Sequence, residues 1–176
     1  MTDAKHNIYD EMLKLENDSR VVKRAHFIAA QKKRWTRSMI GVLIIFLNVL
    51  IGSTLIDFLL PQQAAALIRG LAVFAAALAG IQTFFNFQKD VESHLSSGDT
   101  YGSIHRRVRL LIAEYKDGSR NSDDVIADFK KLIDDYLKAN AESKGCIPSD
   151  KDYDQARAAI RKAKELELEE SSETEA

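Results

Sequence analysis

The chain has little of what cross-links or punctuates a fold. Among its 176 residues there is one cysteine, Cys146, and there are two prolines, Pro61 and Pro148. A single thiol excludes an intramolecular disulfide, and no Cys/His cluster has the spacing of a metal site. A reducing compartment is compatible with that. Catalytic signatures are also missing. There is no phosphate loop of the GxxxxGKS or GxxxxGKT type, no HExxH pair and no GxGxxG turn, and the GDTYG segment at 98–102 fits none of them. Serine, histidine and aspartate occur without an arrangement that makes a triad. The expectation is therefore a protein that is not an enzyme and needs no cofactor. No stretch alternates as a strand does. The first 37 residues are charged and lack the short apolar core and cleavage site of a signal peptide, so the first apolar run is expected to act as an uncleaved anchor.

What the chain does have is two apolar runs joined by very little. Residues 38–56 and residues 70–88 are each nineteen consecutive uncharged positions. A helix needs roughly 20 mostly apolar residues to cross about 30 Å of hydrocarbon. The fold class expected is all-α, a two-helix transmembrane hairpin with long cytoplasmic helical extensions. The lead-in is a basic amphipathic helix over 1–37. The hairpin occupies 38–88, with spans at about 38–60 and 64–88. A helical module follows over 89–140, then a C-terminal helix and acidic tail over 141–176. A soluble bundle burying both apolar helices would need many amphipathic helices to cover them, and this chain has too few.

Charge supports that division. Residues 1–116 carry 15 basic and 10 acidic side chains, and residues 117–176 carry 10 basic and 16 acidic. Lys23, Arg24, Lys32, Lys33, Arg34 and Arg37 fall within fifteen residues, with Trp35 among them. Tryptophan beside basic residues at the edge of an apolar run is an interfacial belt. The competing reading is a DNA-contacting patch. Because the patch abuts a span directly, the partner expected is the lipid bilayer and not nucleic acid. Positive flanks and a nearly neutral turn put both termini in the cytoplasm, with the protein multi-pass in an inner membrane.

Finer expectations follow from spacing. Asn17, Asp18 and Ser19 read as a cap cluster between a short helix over 7–16 and a longer one starting near Arg20. The helical pattern leaving the second span continues to about Lys116, with a bend or break near 96–98 at Gly98. Ser122 is the expected cap of the next helix, whose Val125, Ile126, Phe129, Leu132, Ile133, Tyr136 and Leu137 form an apolar stripe. Ser149 and Asp152 resemble a capping box for a last helix, with Tyr153, Ala156, Ile160 and Ala163 as its weak apolar face. Residues 171–176 read as a disordered acidic tail. His94 and His105 are about 16 Å of helical rise apart, too far to share a metal, and each reads as a surface or interface polar residue.

Within the apolar runs, Gly41, Asn48 and Gly52 fall in one sector of the first helix. Ala72, Ala76, Ala79, Thr83 and Asn86 fall in one stripe of the second. Small residues and amides let membrane helices approach closely and hydrogen-bond. These faces are packing seams, within the hairpin or between copies. Alternatively Asn48, Gln82, Thr83 and Asn86 line an aqueous path, which would take several copies in a closed ring. Asp57 and Arg69 are the ionisable residues of the apolar region and could pair near its outer rim, as a structural contact or in gating.

Taken together, RVVKRAHFIAAQKKRW, two close spans and FFNFQKDVESHLSSGDTYGSIHRRVRLLIAEY resemble the SLATT domain family over residues 19–137. The segment bearing Phe87, His94, Gly98, Tyr101 and Arg107 carries most of the likeness. The resemblance implies a two-transmembrane effector of bacterial conflict and antiphage systems. Such an effector assembles and permeabilises the inner membrane when a partner senses infection. The partners it implies are separately encoded sensors: nucleotide synthases, nucleotide-binding proteins or reverse transcriptases. The chain carries no sensor domain of its own, and the family supplies no catalytic residues. A scaffold reading stands beside this one. In it the hairpin only anchors the helical domain, and the 125–137 stripe docks a cytoplasmic partner.

Overall fold

Between its few turn residues the chain is rich in Ala, Leu, Lys and Glu, which are strong helix formers. The computed structural model describes residues 2–53, 56, 58 and 62–174, with side chains from residue 7 to 170 within those. No strand occurs among the described residues. The helices are α1 (Thr2–Gly52), α2 (Ala64–Phe84), α3 (Phe87–Asp117), α4 (Ser122–Glu142) and α5 (Asp150–Thr174), with a short 3₁₀ turn, Ser143–Gly145, between the last two. They form two compact units. One comprises Met1–Ala30 with Glu92–Ala176, and the other Gln31–Val91.

The first unit has a core drawn from three helices. Met12 and Leu15 come from α1, Tyr101, Ile104, Val108, Leu111 and Ile112 from α3, and Val125, Phe129, Leu132 and Ala139 from α4. The spacing of three or four residues keeps each set on one helical face. Full burial of one such large apolar side chain contributes about 1.5–3 kcal/mol. Helix α5 adds Ala156, fully buried, while Tyr153 and Ile160 are half-buried and Ala163 is exposed. On α4 the expected stripe narrows. Ile126 and Tyr136 are half-buried, and Ile133 and Leu137 face outward.

Several expected boundaries move. Helix α1 runs unbroken through residues 17–19. Ser19 is fully buried and donates from Oγ to the Glu16 carbonyl at 3.0 Å. Its hydroxyl is satisfied inside the helix and does not cap a new one. Gly98 likewise sits within a continuous α3. A Cβ placed there would lie 3.2 Å from the Phe27 ring, so glycine serves close packing at this position and not a bend.

A break does occur earlier. Helix α2 ends at Phe84, Phe85 is extended (φ −82°, ψ 98°), and the Asn86 side-chain oxygen accepts the Lys89 N–H at 3.2 Å. Asn86 thus caps α3, so the helix leaving the second apolar run is a new one. Asn121 and not Ser122 caps α4, accepting the Asp123 N–H at 3.4 Å. Ser149 and Asp152 form the capping box as expected: the Ser149 N–H reaches Asp152 Oδ2 at 2.9 Å and the Asp152 N–H reaches Ser149 Oγ at 3.4 Å. Of the stretch 171–176 expected as a disordered tail, α5 takes in residues 171–174, in keeping with the helix propensity of its glutamates, and residues 175–176 lie outside the described residues.

In the second unit, Gly41 of α1 faces Gln82 of α2, whose Nε2 would lie 3.8 Å from a Cβ at that glycine. Leu47 and Ala75 are buried there, and Ile40, Ile44, Leu71 and Leu78 are half-buried.

Candidate functional site

Two helices are long and apolar enough to cross a membrane, and in their most apolar windows only 6% and 11% of the residues are buried within the chain. Those low fractions separate them from core helices of a soluble fold. Val42, Ile45, Phe46, Val49, Val73, Phe74, Ile81 and Phe84 are exposed large side chains on this surface. A monomeric soluble protein rarely presents a contiguous apolar patch of that kind.

Two of the polar residues among them bond back along their own helices. Asn48 donates from Nδ2 to the Ile44 carbonyl at 2.8 Å, and Thr83 donates from Oγ1 to the Ala79 carbonyl at 2.9 Å. Such back-bonding removes a polar group that hydrocarbon could not solvate. Gly41 and Gln82 lie where α1 and α2 meet. Asn48, Gly52, Ala72, Ala76, Ala79, Thr83 and Asn86 are exposed in the single chain. Gln82, Thr83, Asn86, Ala79, Ile44 and Arg37 line a shallow cavity of about 390 Å³. Arg69 is exposed on α2. The pairing with Asp57 lies outside the described residues.

The basic belt has specific partners. Lys33 Nζ lies 2.6 Å from Asp90 Oδ2, and Arg37 donates to the Gln88 side-chain oxygen. Trp35 is 65% exposed, and Lys32, Arg34 and Arg24 are also exposed. The stem of Lys23 passes Gly102, with Cδ 3.4 Å from where a Cβ would be.

The first unit holds polar groups that the sequence spacing did not bring together. His26 and His94 are almost completely buried, at 1% and 3% exposed, and their Nδ1 atoms are 3.2 Å apart. Cys146 joins them, and the three ligand-type atoms all lie within 4.8 Å of one another. The His26 ring stacks on Tyr101 with centroids 5.5 Å apart, and the Tyr101 hydroxyl donates to Asn140 Oδ1 at 2.7 Å. Burial, with the neighbouring His94 second, pushes His26 down to about 4. His105 is 9% exposed, and its Nδ1 is 3.3 Å from both the carbonyl and a carboxylate oxygen of Glu16. Burial lowers its pKa, and Glu16 opposes that shift. His94 and His105 are therefore the interface alternative and not the surface one, each buried where α3 packs on α1. No local spacing relates the members of this cluster, at positions 26, 94 and 146, and only the tertiary path of the chain joins them.

No protein-family model matches the chain, and no curated protein or solved structure is significantly similar to it.

Proposed function

We propose that the chain is a membrane-inserted, oligomeric effector. Its two apolar helices form a transmembrane hairpin with both termini in the cytoplasm, and it permeabilises the bacterial inner membrane on a signal from a separately encoded sensor. The observation that carries the membrane part is the exposed apolar surface of α1 and α2. With so little of it buried inside the chain, lipid or further copies must cover it. The belt of Lys32, Lys33, Arg34, Trp35 and Arg37 at the edge of the first run supports an interfacial position. Outward-facing Gly52, Ala72, Ala76 and Ala79 support close approach of neighbouring copies. Permeabilisation and the sensor rest on the resemblance to the SLATT domain family.

The test is dye release from liposomes carrying the purified, correctly inserted protein. Leakage that rises with protein-to-lipid ratio is the expected result. Liposomes that stay sealed across all ratios and in the presence of the genetically neighbouring sensor would exclude the reading. A membrane-anchored scaffold is the second reading, supported by exposed Ile133 and Leu137 on α4. It expects function to survive replacement of both apolar runs by an unrelated anchor, whereas the effector reading expects function to be lost.

A further inference from the structure

We propose that His26, His94 and Cys146 form a metal site that takes a borderline-soft divalent cation, zinc foremost, and clasps the α4–α5 connection to α1 and α3. The inference concerns the first unit and does not depend on what the apolar helices do.

Donor chemistry is the first argument. Two imidazoles and one thiol converge within 4.8 Å, and nitrogen with thiolate sulfur is the ligand set that zinc prefers over hard cations. The second argument is distance. Zinc–nitrogen bonds of about 2.0–2.1 Å at the tetrahedral angle put two ligating nitrogens roughly 3.3 Å apart. The two Nδ1 atoms face each other 3.2 Å apart, close to that spacing.

The surroundings are the third argument. Metal-binding side chains work best when other groups hold them in place. The His26 ring is held by the stacked Tyr101. Ser143 donates from Oγ to Ser97 Oγ at 3.1 Å, and Ser97 Oγ lies 3.3 Å from Cys146 Sγ. That chain leaves the Ser97 hydroxyl hydrogen free to point at the sulfur, where it would stabilise a thiolate. Both imidazoles are buried, and the neutral ring is the form that ligates. Three protein ligands leave a fourth tetrahedral position for water.

Binding exchanges the thiol proton for the cation. The S–H bond breaks, the sulfur keeps its electron pair and donates it to the metal, and the proton leaves to solvent. Affinity should therefore increase with pH. The clasp would tie residue 146, in the turn after the 3₁₀ segment, to residues 26 and 94 on two other helices.

The experiment uses the full chain in detergent, freed of metal with chelator and kept reduced, titrated with Co²⁺ and then with Zn²⁺. The expected result is a thiolate-to-cobalt charge-transfer band saturating at about one ion per chain, displaced by zinc. Cys146→Ser should lose that band and bind at least about tenfold more weakly. This variant is the primary one because Cys146 is only half-buried, and its helical circular dichroism checks that it folds. His94→Gln should lose the visible ligand-field bands. A folded wild-type chain with no charge-transfer band would overturn the proposal, and so would a Cys146→Ser protein with unchanged spectrum and affinity.

Discussion

His105 shows how one buried side chain makes stability depend on pH. Burial lowers its pKa in the folded state, with Glu16 as the opposing influence. The unfolded chain then binds the proton more readily. The stability this group contributes is complete above the unfolded value of about 6.5 and is lost as pH falls toward the folded one. His26, lowered to about 4, acts in the same direction. Thermal melts of the chain in detergent between about pH 7.5 and pH 5 should show a falling midpoint. His105→Gln should flatten part of that fall. Glu16→Gln should steepen it, because the carboxylate that favours the charged imidazole is gone. Gly98 gives a second prediction at this scale. Its missing side chain would meet the Phe27 ring at 3.2–3.3 Å. Gly98→Ala sets a gain in helix propensity of up to about 1 kcal/mol against a small ring shift, and should be near neutral. Gly98→Leu cannot be accommodated by so small a shift and should cost about 1–3 kcal/mol in denaturant or thermal unfolding.

Among the elements, α4 was the most readable from sequence, because its apolar residues repeat cleanly and a core waits on one side. Val125, Phe129 and Leu132 are buried, whereas Leu137 is 58% exposed. Phe129→Ala should therefore destabilise by about 3–5 kcal/mol. Leu137→Gln should stay within about 0.5 kcal/mol, measured by the midpoint of unfolding. An unchanged midpoint for Phe129→Ala would mean that the α4 face is not packed as described. The elements that misled the reading did so through local chemistry. Asn17, Asp18 and Ser19 have the composition of a cap, but a serine can also satisfy itself by bonding back along its own helix, and Ser19 does so. Asn86 shares a stripe with Ala79 and Thr83 and a cavity wall with both, and its second role, capping α3, is one that stripe periodicity does not reveal. Periodicity places a residue on a face, but it does not say where a helix ends, because two helices separated by a single turn keep nearly the same pattern. The histidine–cysteine cluster lies beyond any such reading, since no local spacing relates positions on α1, α3 and the α4–α5 connection.

At the scale of the whole molecule the informative quantity is how charge and apolar surface are distributed, since the formal net charge is only −1. The apolar surface of α1 and α2 predicts that the protein sediments with membranes and resists a carbonate wash. Release into the soluble fraction would contradict the membrane reading. Orientation is the finer consequence, and it rests on the belt at the edge of α1. Lys33 is paired with Asp90 at 2.6 Å, so part of its charge is already compensated. Lys32, Arg34 and Arg37 are further exposed members of this cationic flank, with Arg34 next to Trp35. Each basic side chain near an anionic cytoplasmic surface contributes roughly 1 kcal/mol. Changing Lys32, Arg34 and Arg37 to Gln should therefore remove about 3 kcal/mol of orientational preference. A reporter enzyme active only outside the inner membrane, fused after residue 176, should be silent in the parent chain and gain activity in the triple variant. A fusion already active in the parent would place the C-terminus outside and invert the topology. In that case the charge asymmetry between residues 1–116 and 117–176 would no longer have a cytoplasmic explanation.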